Sequence, residues 1–281
     1  MKCGPREEET REEDDVKDPR EAFDLSGRVA IVTGAGSGIG RASARMLAAV
    51  GATVVCADVA GNAAKDTATS ITTEGGNAKS AEVDVAQSEQ VDALVDGTVC
   101  EHGRLDVMCN IAGIMHNSLV VDTDNADLDR VLAVNLKGVF YGCRAAARVM
   151  TARGIGSIVN MASGAIDTPA PTIVCYAMAK AGVAQLTKTL ATEVGPKGVR
   201  VNAVAPGWIV TGMTGRHFTN PDGTIDQDRF DAVSAPMRNA APLGRVGEPD
   251  DIAYAVLYLA SDAASFVTGQ IVRPNGGLSI P

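Results

Sequence analysis

The chain has 281 residues, of which 46% are hydrophobic, and a formal net charge of −9. This length can bury the core of one α/β domain, and no apolar run reaches the roughly 18 residues that mark a membrane span. The acidic balance argues against nucleic acid or an anionic membrane as a partner, because both are bound through basic patches.

The cysteine and histidine content argues against disulfides and against a metal site. The six cysteines show no CxxC spacing and lie mostly in apolar segments, which is typical of free thiols in a reducing compartment. The three histidines are far apart and lack partners at metal-ligand spacing. The N-terminus also lacks the pattern of a signal peptide. We therefore expect a cytoplasmic protein without a metal.

Residues 1–22 differ in composition from the rest of the chain. They hold nine Asp or Glu and five Lys or Arg, with almost no apolar residue. Such a segment cannot bury enough surface to offset its ordering entropy. We predict a disordered charged tail over 1–22 and a single catalytic domain over 23–281.

A short apolar run, Val29 to Thr33, predicts the first buried strand. A glycine turn follows, Gly34-Ala-Gly-Ser-Gly-Ile-Gly40, and residues 41–50 have helical spacing. The glycines allow a close backbone approach, and the helix N-terminus offers free N–H groups and a positive dipole. Strand, glycine turn and helix in this order predict a cradle for the phosphates of a dinucleotide.

The second predicted strand, 53–57, is followed by Asp58, eighteen residues after Gly40. An acidic residue at this place accepts hydrogen bonds from the adenosine ribose hydroxyls and repels a 2′-phosphate. Ser37 and Val59 supply no positive charge for such a phosphate, whereas Arg41 leaves NADP(H) open. The pattern favours NAD(H) over NADP(H).

Strand-like and helix-like segments then alternate to the end of the chain, which is typical of a parallel sheet with helices on both faces. Further strands are predicted at 78–85, 107–111, 156–161, 199–205 and 270–272. Helices are predicted at 61–73, 88–102, 125–152, 174–194 and 249–260. The predicted fold class is α/β, a single doubly wound Rossmann domain with a mostly parallel seven-stranded sheet.

Tyr176 and Lys180 lie four residues apart in a predicted helix, and Ser163 precedes the tyrosine by thirteen residues. Residues at i and i+4 share one helix face. A phenol has an ordinary pKa near 10, and lowering it by about three units requires about 4 kcal/mol, which one unit charge at about 4 Å supplies at an effective dielectric near 20. The pair therefore predicts a tyrosine that transfers protons near neutral pH.

From about residue 25 to residue 277 the chain resembles the classical short-chain dehydrogenases/reductases. The resemblance rests on motifs in their expected order: Thr33 to Gly40 with the TGxxxGxG turn, Asp84-Val85, Asn110-Ile-Ala-Gly113, Asn135, the Ser163, Tyr176 and Lys180 set, Pro206-Gly207 with Thr211, and Asn275-Gly-Gly. Ile111 replaces the usual second Asn of the NNAG motif, and Asn275 replaces the usual Asp.

The resemblance implies a catalytic tetrad of Asn135, Ser163, Tyr176 and Lys180. In it Ser163 holds the substrate oxygen, Tyr176 transfers the proton, Lys180 stabilises the phenolate and binds the nicotinamide ribose, and Asn135 anchors a water. Together with the glycine turn and the acidic residue, it predicts cofactor contacts at Gly34, Ser37, Gly38, Ile39, Gly40, Asp58, Asp84, Val85, Asn110, Ala112, Gly113, Tyr176, Lys180, Pro206, Gly207, Ile209 and Thr211.

Residues 207–247 lie between recognisable motifs and are rich in Gly, Pro and polar residues, which predicts a substrate lid. The expected apolar substrate pocket consists of Ile114, Met115, Ile166, Trp208, Met213 and Met237, with Phe218 as a further candidate. Four basic residues of this segment are candidates for binding an anionic substrate: Arg216, His217, Arg229 and Arg238.

The predicted function is hydride transfer between NAD(H) and a small, fairly apolar secondary alcohol or its ketone. A 3-oxoacyl-(acyl-carrier-protein or CoA) reductase is the alternative, and a non-catalytic NAD(H) sensor is a more remote one. The resemblance also implies a homotetramer. Its expected interface is formed by the helices around 126–150 and 174–194, which are more apolar than one buried face requires. The apolar residues are Val139, Phe140, Cys143 and Ala147 on the first helix and Val183, Leu186 and Leu190 on the second.

Overall fold

The computed structural model describes residues 18–220 and 222–280, which form one sheet covered by helices. The strands are β1 (Val29–Thr33), β2 (Thr53–Asp58), β3 (Asn77–Glu82), β4 (Val107–Asn110), β5 (Gly156–Met161), β6 (Val199–Val204) and β7 (Ile271–Val272). The helices are α1 (Gly38–Ala49), α2 (Gly61–Thr73), α3 (Ser88–His102), α4 (Asn125–Leu132), α5 (Gly138–Arg153), α6 (Val174–Val194), α7 (Gly212–Gly215), α8 (Gln227–Ala240) and α9 (Pro249–Ala260).

The seven strands lie in the order β3-β2-β1-β4-β5-β6-β7, and each neighbouring pair is parallel. The chain moves outwards from β1 to β3 and then returns to place β4 on the other side of β1. This reversal creates a crevice at the carboxyl ends of β1 and β4, where open α/β sheets bind their ligands. The predicted doubly wound fold is confirmed.

Alternate residues of the central strands enter two separate cores. Val32 and Cys109 pack with Leu47 of α1 and Val256 of α9 on one face. On the other face, buried side chains of β1, β4 and β5 pack with residues from α3, α5 and α6. Strands buried on both sides must be apolar at every position, which is why they appear in the sequence as continuous runs rather than alternating patterns.

The helices predicted at 61–73, 88–102, 174–194 and 249–260 have these bounds in the structure. The helix predicted over 125–152 is divided: α4 is followed by one π-helical turn, Ala133–Lys137, and then by α5. The third strand ends at Glu82 rather than 85, because Asp84 accepts a hydrogen bond from the Ala86 N–H at 2.9 Å and turns the chain.

The 207–247 segment has more regular structure than its composition indicates. It contains α7 and α8, and Asp226 caps α8 by accepting a hydrogen bond from the Arg229 N–H at 3.0 Å. Pro236 lies inside α8 and obscures the helical pattern. The segment also has a small aromatic core, in which the Phe218 and Phe230 rings lie edge to face with centroids 5.0 Å apart.

Most of the tail predicted over 1–22 lies outside the described residues. Its last part includes the start of a short 3-10 helix, Glu21–Phe23. No helix in residues 18–220 and 222–280 is long and apolar enough to cross a membrane.

The expected intersubunit surface is only partly available. Val139, Cys143, Ala147 and Val183 are buried in the core of their own chain, so these four predicted interface residues were wrong. Their helices carry them on the inner face, against the sheet. Phe140 and Met178 are instead about half exposed, at 45% and 52%.

Candidate active site

A cleft of about 760 Å³ opens at the carboxyl edge of the sheet. Its walls come from the turns that follow β1, β2, β4, β5 and β6, from residues just after β3, and from the C-terminal segment around Leu278. Parallel strands place all these turns at one edge. Residues from distant parts of the sequence therefore meet in one cavity.

The glycine turn between β1 and α1 forms one wall of the cleft. A Cβ atom at Gly34 would lie 2.8 Å from the Ala112 Cα, and one at Gly40 would overlap the Gly34 carbonyl oxygen. Gly34 and Gly38 also have positive φ angles of 69° and 50°. The turn thus requires glycine, and the first N–H groups of α1 face the cleft without a side-chain cap from Ser37.

Asp58 ends β2 and is held in one orientation by backbone groups. Its Oδ2 accepts a hydrogen bond from the Gly36 N–H and its Oδ1 accepts one from the Ala60 N–H, both at 2.9 Å. Each carboxylate oxygen keeps a free lone pair for a ligand. Arg41 is directed elsewhere, since its guanidinium donates to the Gly36 carbonyl and to the Thr67 hydroxyl.

Most residues predicted to contact a cofactor line this cleft. They are Gly34, Ser37, Gly38, Ile39, Gly40, Asp58, Asp84, Val85, Ala112, Gly113, Tyr176, Lys180, Pro206, Gly207, Ile209 and Thr211.

Asn110 is the exception, because its side chain points into the core. It is 2% exposed and its Nδ2 donates to the Asn160 Oδ1 at 2.9 Å. Gly142 of α5 provides the space, since a Cβ there would overlap the Asn110 amide. The Asn110 side chain therefore joins β4 to β5 and does not line the cleft. The cofactor contact at this residue stays a prediction, which the position of the side chain does not support.

Three of the four predicted catalytic residues meet in the cleft from two parts of the fold. Ser163 follows β5, while Tyr176 and Lys180 lie in the first two turns of α6, and all three line the cleft. Lys180 is only 2% exposed; its Nζ donates to the Met161 carbonyl at 2.7 Å and lies 5.6 Å from the centroid of the Tyr176 ring.

Asn135 does not line the cleft, but it binds a residue that does. It lies in the π-helical turn and is fully buried. Its Oδ1 accepts from the Ile114 N–H and its Nδ2 donates to the Ile114 carbonyl, both at 2.8 Å. The amide thereby holds the loop after β4 in place, and Ile114 lines the cleft.

Burial dominates the electrostatics of the Tyr176 and Lys180 pair. Burial raises the pKa of the Tyr176 phenol, and hydrogen bonding with Ser163 acts in the opposite direction. Burial lowers the pKa of the Lys180 ammonium from 10.5 to about 8. The sequence led us to expect a lowered tyrosine pKa, and this was wrong for the protein alone, because removal from water disfavours both charged forms.

The part of the cleft that is predicted to hold the substrate is apolar. Of the predicted pocket residues, Ile114, Met115, Trp208, Met213 and Met237 line it. Ile166 does not, because the 3-10 turn Gly164–Ile166 directs it against the core beside α6. Phe218 is buried in the aromatic core of the 207–247 segment rather than in the cleft.

Sequence reasoning missed several lining residues of the substrate half, namely Thr168, Ala170 and Ile173 after β5 and Leu278 and Ser279 at the C-terminus. Both stretches lack periodicity. The one signal in the sequence that could have identified these residues is that they follow predicted strands, whose carboxyl ends meet at one edge of a parallel sheet.

The four basic candidates of the 207–247 segment do not line the cleft. Arg229 pairs with Asp226, Arg238 pairs with Asp231, and Arg216 donates to Asn117 and to His217. Across residues 18–220 and 222–280, the charged side chains that line the cleft are Asp58, Asp84 and Lys180. The same part of the chain has no cluster of three His, Cys, Asp or Glu residues that could hold a metal ion.

Comparison with known proteins finds relatives over most of the chain. A family model described as enoyl-(acyl carrier protein) reductase matches residues 34–279. A 3-oxoacyl-(acyl-carrier-protein) reductase of Thermotoga maritima is 39% identical over 262 residues, which are 91% of this chain and 99% of the relative.

Solved structures with the same fold differ in ligand. A gluconate 5-dehydrogenase of Burkholderia cenocepacia, in complex with NADP and tartrate, has a TM-score of 0.85 at 35% identity and covers 93% of this chain and 98% of its own. A 7α-hydroxysteroid dehydrogenase, complexed with NADH and 7-oxo glycochenodeoxycholic acid, has a TM-score of 0.84 at 33% identity and covers 92% of this chain and 96% of its own. Similarity alone therefore decides neither the cofactor nor the substrate.

Replacing the buried lysine should stabilise the protein. A pKa lowered from 10.5 to about 8 corresponds to a burial cost of about 3 kcal/mol. The burial cost is fully present below pH 8, where Lys180 is protonated in both the folded and the unfolded chain. Between pH 8 and 10.5 the folded protein loses this proton while the unfolded chain keeps it, so stability rises with pH and the cost is relieved. Lys180→Met should therefore unfold at higher urea than the wild type at pH 7, with an advantage that shrinks above pH 8.

The control is Lys188→Met, which removes an exposed lysine from the same helix. The difference in free energy of unfolding between variant and wild type is taken at each pH. Because both proteins contain the same buried cysteines, their contribution cancels. Equal pH dependence for the two variants would contradict the assignment of the burial cost to Lys180.

Proposed function

The chain belongs to the classical short-chain dehydrogenase/reductase family, and on this premise we propose an NAD(H)-dependent oxidoreductase that interconverts a secondary alcohol and its ketone. One observation carries the proposal: Ser163, Tyr176 and Lys180 meet in the same cleft that the glycine turn and Asp58 line. Side chains suited to proton transfer and a turn suited to dinucleotide binding thus line one cavity.

The residues of the cleft suit a nicotinamide dinucleotide. The glycine turn leaves no room for side chains, and the uncapped N-terminus of α1 suits a pyrophosphate. Asp58 would hold the adenosine ribose, Asp84 and Val85 would contact the adenine, and residues 206–211 would hold the carboxamide. When bound, the cofactor supplies the hydride chemistry, while the protein supplies position and electrostatics.

We assign the proton transfer to Tyr176. In alcohol oxidation its phenolate oxygen accepts the substrate hydroxyl proton, and in ketone reduction its hydroxyl donates a proton to the carbonyl oxygen. Ser163 holds that oxygen. Lys180 stabilises the phenolate as a cation, and its charge acts strongly because Lys180 itself is only 2% exposed to water. Asn135 positions Ile114 and, as the resemblance implies, anchors a water beside Lys180.

The preference for NAD(H) rests on the fixed charge of Asp58. Both its oxygens are oriented by backbone N–H groups, so the carboxylate cannot turn away from a 2′-phosphate without losing these bonds. Arg41, the nearest candidate for neutralising such a phosphate, is already bound to Gly36 and Thr67.

The substrate class follows from the apolar half of the cleft. Trp208, Met213, Met237, Ile173 and Leu278 surround it, and the arginines of the 207–247 segment pair elsewhere. We therefore propose an uncharged, fairly apolar secondary alcohol or ketone, covered by 207–247 as a lid.

The second candidate is a 3-oxoacyl thioester reductase, which the Thermotoga maritima relative favours. The net charge of −9 opposes docking of an acidic carrier protein. A preference for NADPH with 3-oxoacyl thioesters over NAD⁺ with alcohols would place this candidate first. A non-catalytic sensor is distinguished by cofactor binding without any turnover.

We also infer a cytoplasmic location from the thiols. Cys56, Cys109 and Cys143 are buried and free, and burial raises the pKa of each thiol to about 12. Buried, unreactive thiols suit a reducing compartment.

Turnover should depend on the Tyr176 hydroxyl. Purified protein is screened at 340 nm with NAD⁺ and a panel of secondary alcohols, and Tyr176→Phe should lower kcat by about 10²- to 10⁴-fold because the proton acceptor is lost. Cofactor affinity should be retained. Tyr254→Phe, at an exposed tyrosine far from the cleft, serves as the control. Equal kcat for Tyr176→Phe and wild type would refute the mechanism.

Asp58→Asn should weaken NADH binding and strengthen NADPH binding. The change keeps the size of the side chain but removes the negative charge, so we expect the NADH to NADPH affinity ratio to fall by about tenfold, or about 1.4 kcal/mol. Trp208, the single tryptophan, lines the cleft and reports binding by fluorescence. Asp66→Asn on the exposed side of α2 is the control. An unchanged ratio in Asp58→Asn would assign the preference to other residues.

We propose a homotetramer that uses the exposed Phe140 and Met178 on α5 and α6. Exposed apolar side chains that form a patch mark contacts between proteins, and α5 and α6, which carry these two, pack against each other. Light scattering should give about four times 28.9 kDa for the wild type and a smaller mass for Phe140→Glu. Ile155→Glu, at the opposite edge of the sheet, should leave the mass unchanged. A monomeric wild type at micromolar concentration would contradict the assembly.

A further inference from the structure

Asn117 joins three loops at the mouth of the cleft. It lies in the loop after β4, and its Oδ1 accepts a hydrogen bond from the Arg216 guanidinium of the 207–247 lid. Its Nδ2 donates to the Thr172 Oγ1, at 3.1 Å, in the loop after β5. One amide thus contacts both neighbouring loops, and we name Asn117, Thr172 and Arg216 the clasp.

Thr172 has an uncommon backbone conformation. Its φ of 70° lies in the left-handed region, and it is the only non-glycine residue there among the described positions, 18–220 and 222–280. A β-branched residue adopts this conformation only when its surroundings hold it. The loop after β4 provides that hold: the Ser118 N–H donates to the Thr172 carbonyl at 2.8 Å, and Ser118 forms a parallel bridge with Ile173.

Each of the three loops supplies side chains to the substrate half of the cleft. Met115 lies two residues before Asn117, Ile173 directly follows Thr172, and Met213 lies three residues before Arg216. The relative position of these apolar groups therefore depends on how the loops are joined. The glycine turn and Asp58, on the dinucleotide side, make none of the clasp contacts.

We propose that Asn117 is a positioning residue that holds the substrate half of the cleft together through Thr172 and Arg216. It sets the affinity for the alcohol or ketone and leaves the dinucleotide side unchanged. The expected effect on substrate affinity rests on the proposed function. The expected effect on the stability of the three loops does not.

The amide chemistry gives a graded test. Asn117→Asp keeps both contacts, because a carboxylate accepts from the Arg216 guanidinium and also from the Thr172 hydroxyl. Asn117→Leu has a similar size and makes neither bond. We expect Asn117→Leu to raise KM for the best secondary alcohol by about 5- to 20-fold, whereas Asn117→Asp stays within about twofold of wild type.

In Asn117→Leu, kcat and the Kd for NADH should both change by less than about twofold, since the catalytic groups and the dinucleotide side are not moved. Arg229→Ala is the matched control, because Arg229 is also a lid arginine but pairs with Asp226 and Asn220 inside the lid. It should leave KM unchanged. Equal KM values for wild type, Asn117→Asp and Asn117→Leu overturn the proposal.

Hydrogen exchange tests the clasp without turnover. Asn117→Leu should speed amide exchange in three segments together, 115–123, 168–173 and 212–217, whereas Arg229→Ala should affect the lid alone. Unchanged exchange at 168–173 in Asn117→Leu overturns the proposal even if no substrate is found. Clasp-dependent exchange without any turnover would instead contradict the proposed function and leave the clasp supported.

Discussion

Parallel pairing of the strands is the constraint on which the rest of the structure depends. Each strand in the order β3-β2-β1-β4-β5-β6-β7 runs in the same direction as its neighbour, so every turn that follows a strand emerges at one edge. The apolar helices that cover both faces leave that edge open. The cleft forms there because the chain reverses its direction of travel across the sheet between β1 and β4.

The cost of burying charge determines the chemistry of this cleft. Lys180 is nearly inaccessible to water, and its pKa is lowered to about 8, while burial raises the pKa of Tyr176. Burial disfavours the charged form of each group taken alone, but an ammonium and a phenolate side by side would stabilise each other. An environment that weakens both ions in isolation strengthens their interaction, which is the condition for proton transfer at a tyrosine.

The two halves of the cleft are built by different means. The proposed dinucleotide half depends on backbone geometry, since the glycine turn and the N–H groups that orient Asp58 leave little freedom. The proposed substrate half depends on side chains from loops that are joined by the amides of Asn135 and Asn117. Such a division allows one fold to keep its cofactor site while its substrate changes, in agreement with the acyl, sugar-acid and steroid names of the relatives.

The sequence by itself determined the order of the strands and of most helices, the glycine turn, Asp58 and the Tyr176 and Lys180 pair, because each depends on local spacing or on runs of apolar residues. It did not indicate α7, α8 or the division of the helix predicted over 125–152. Tertiary structure alone decided which way single side chains face. Asn110 enters the core where Gly142 leaves space, Ile166 turns away from the cleft, and Asn135 binds Ile114. These outcomes depend on contacts between residues far apart in the chain, for which spacing carries no signal. For the same reason the aperiodic loops that surround the substrate half could be placed only by the fold.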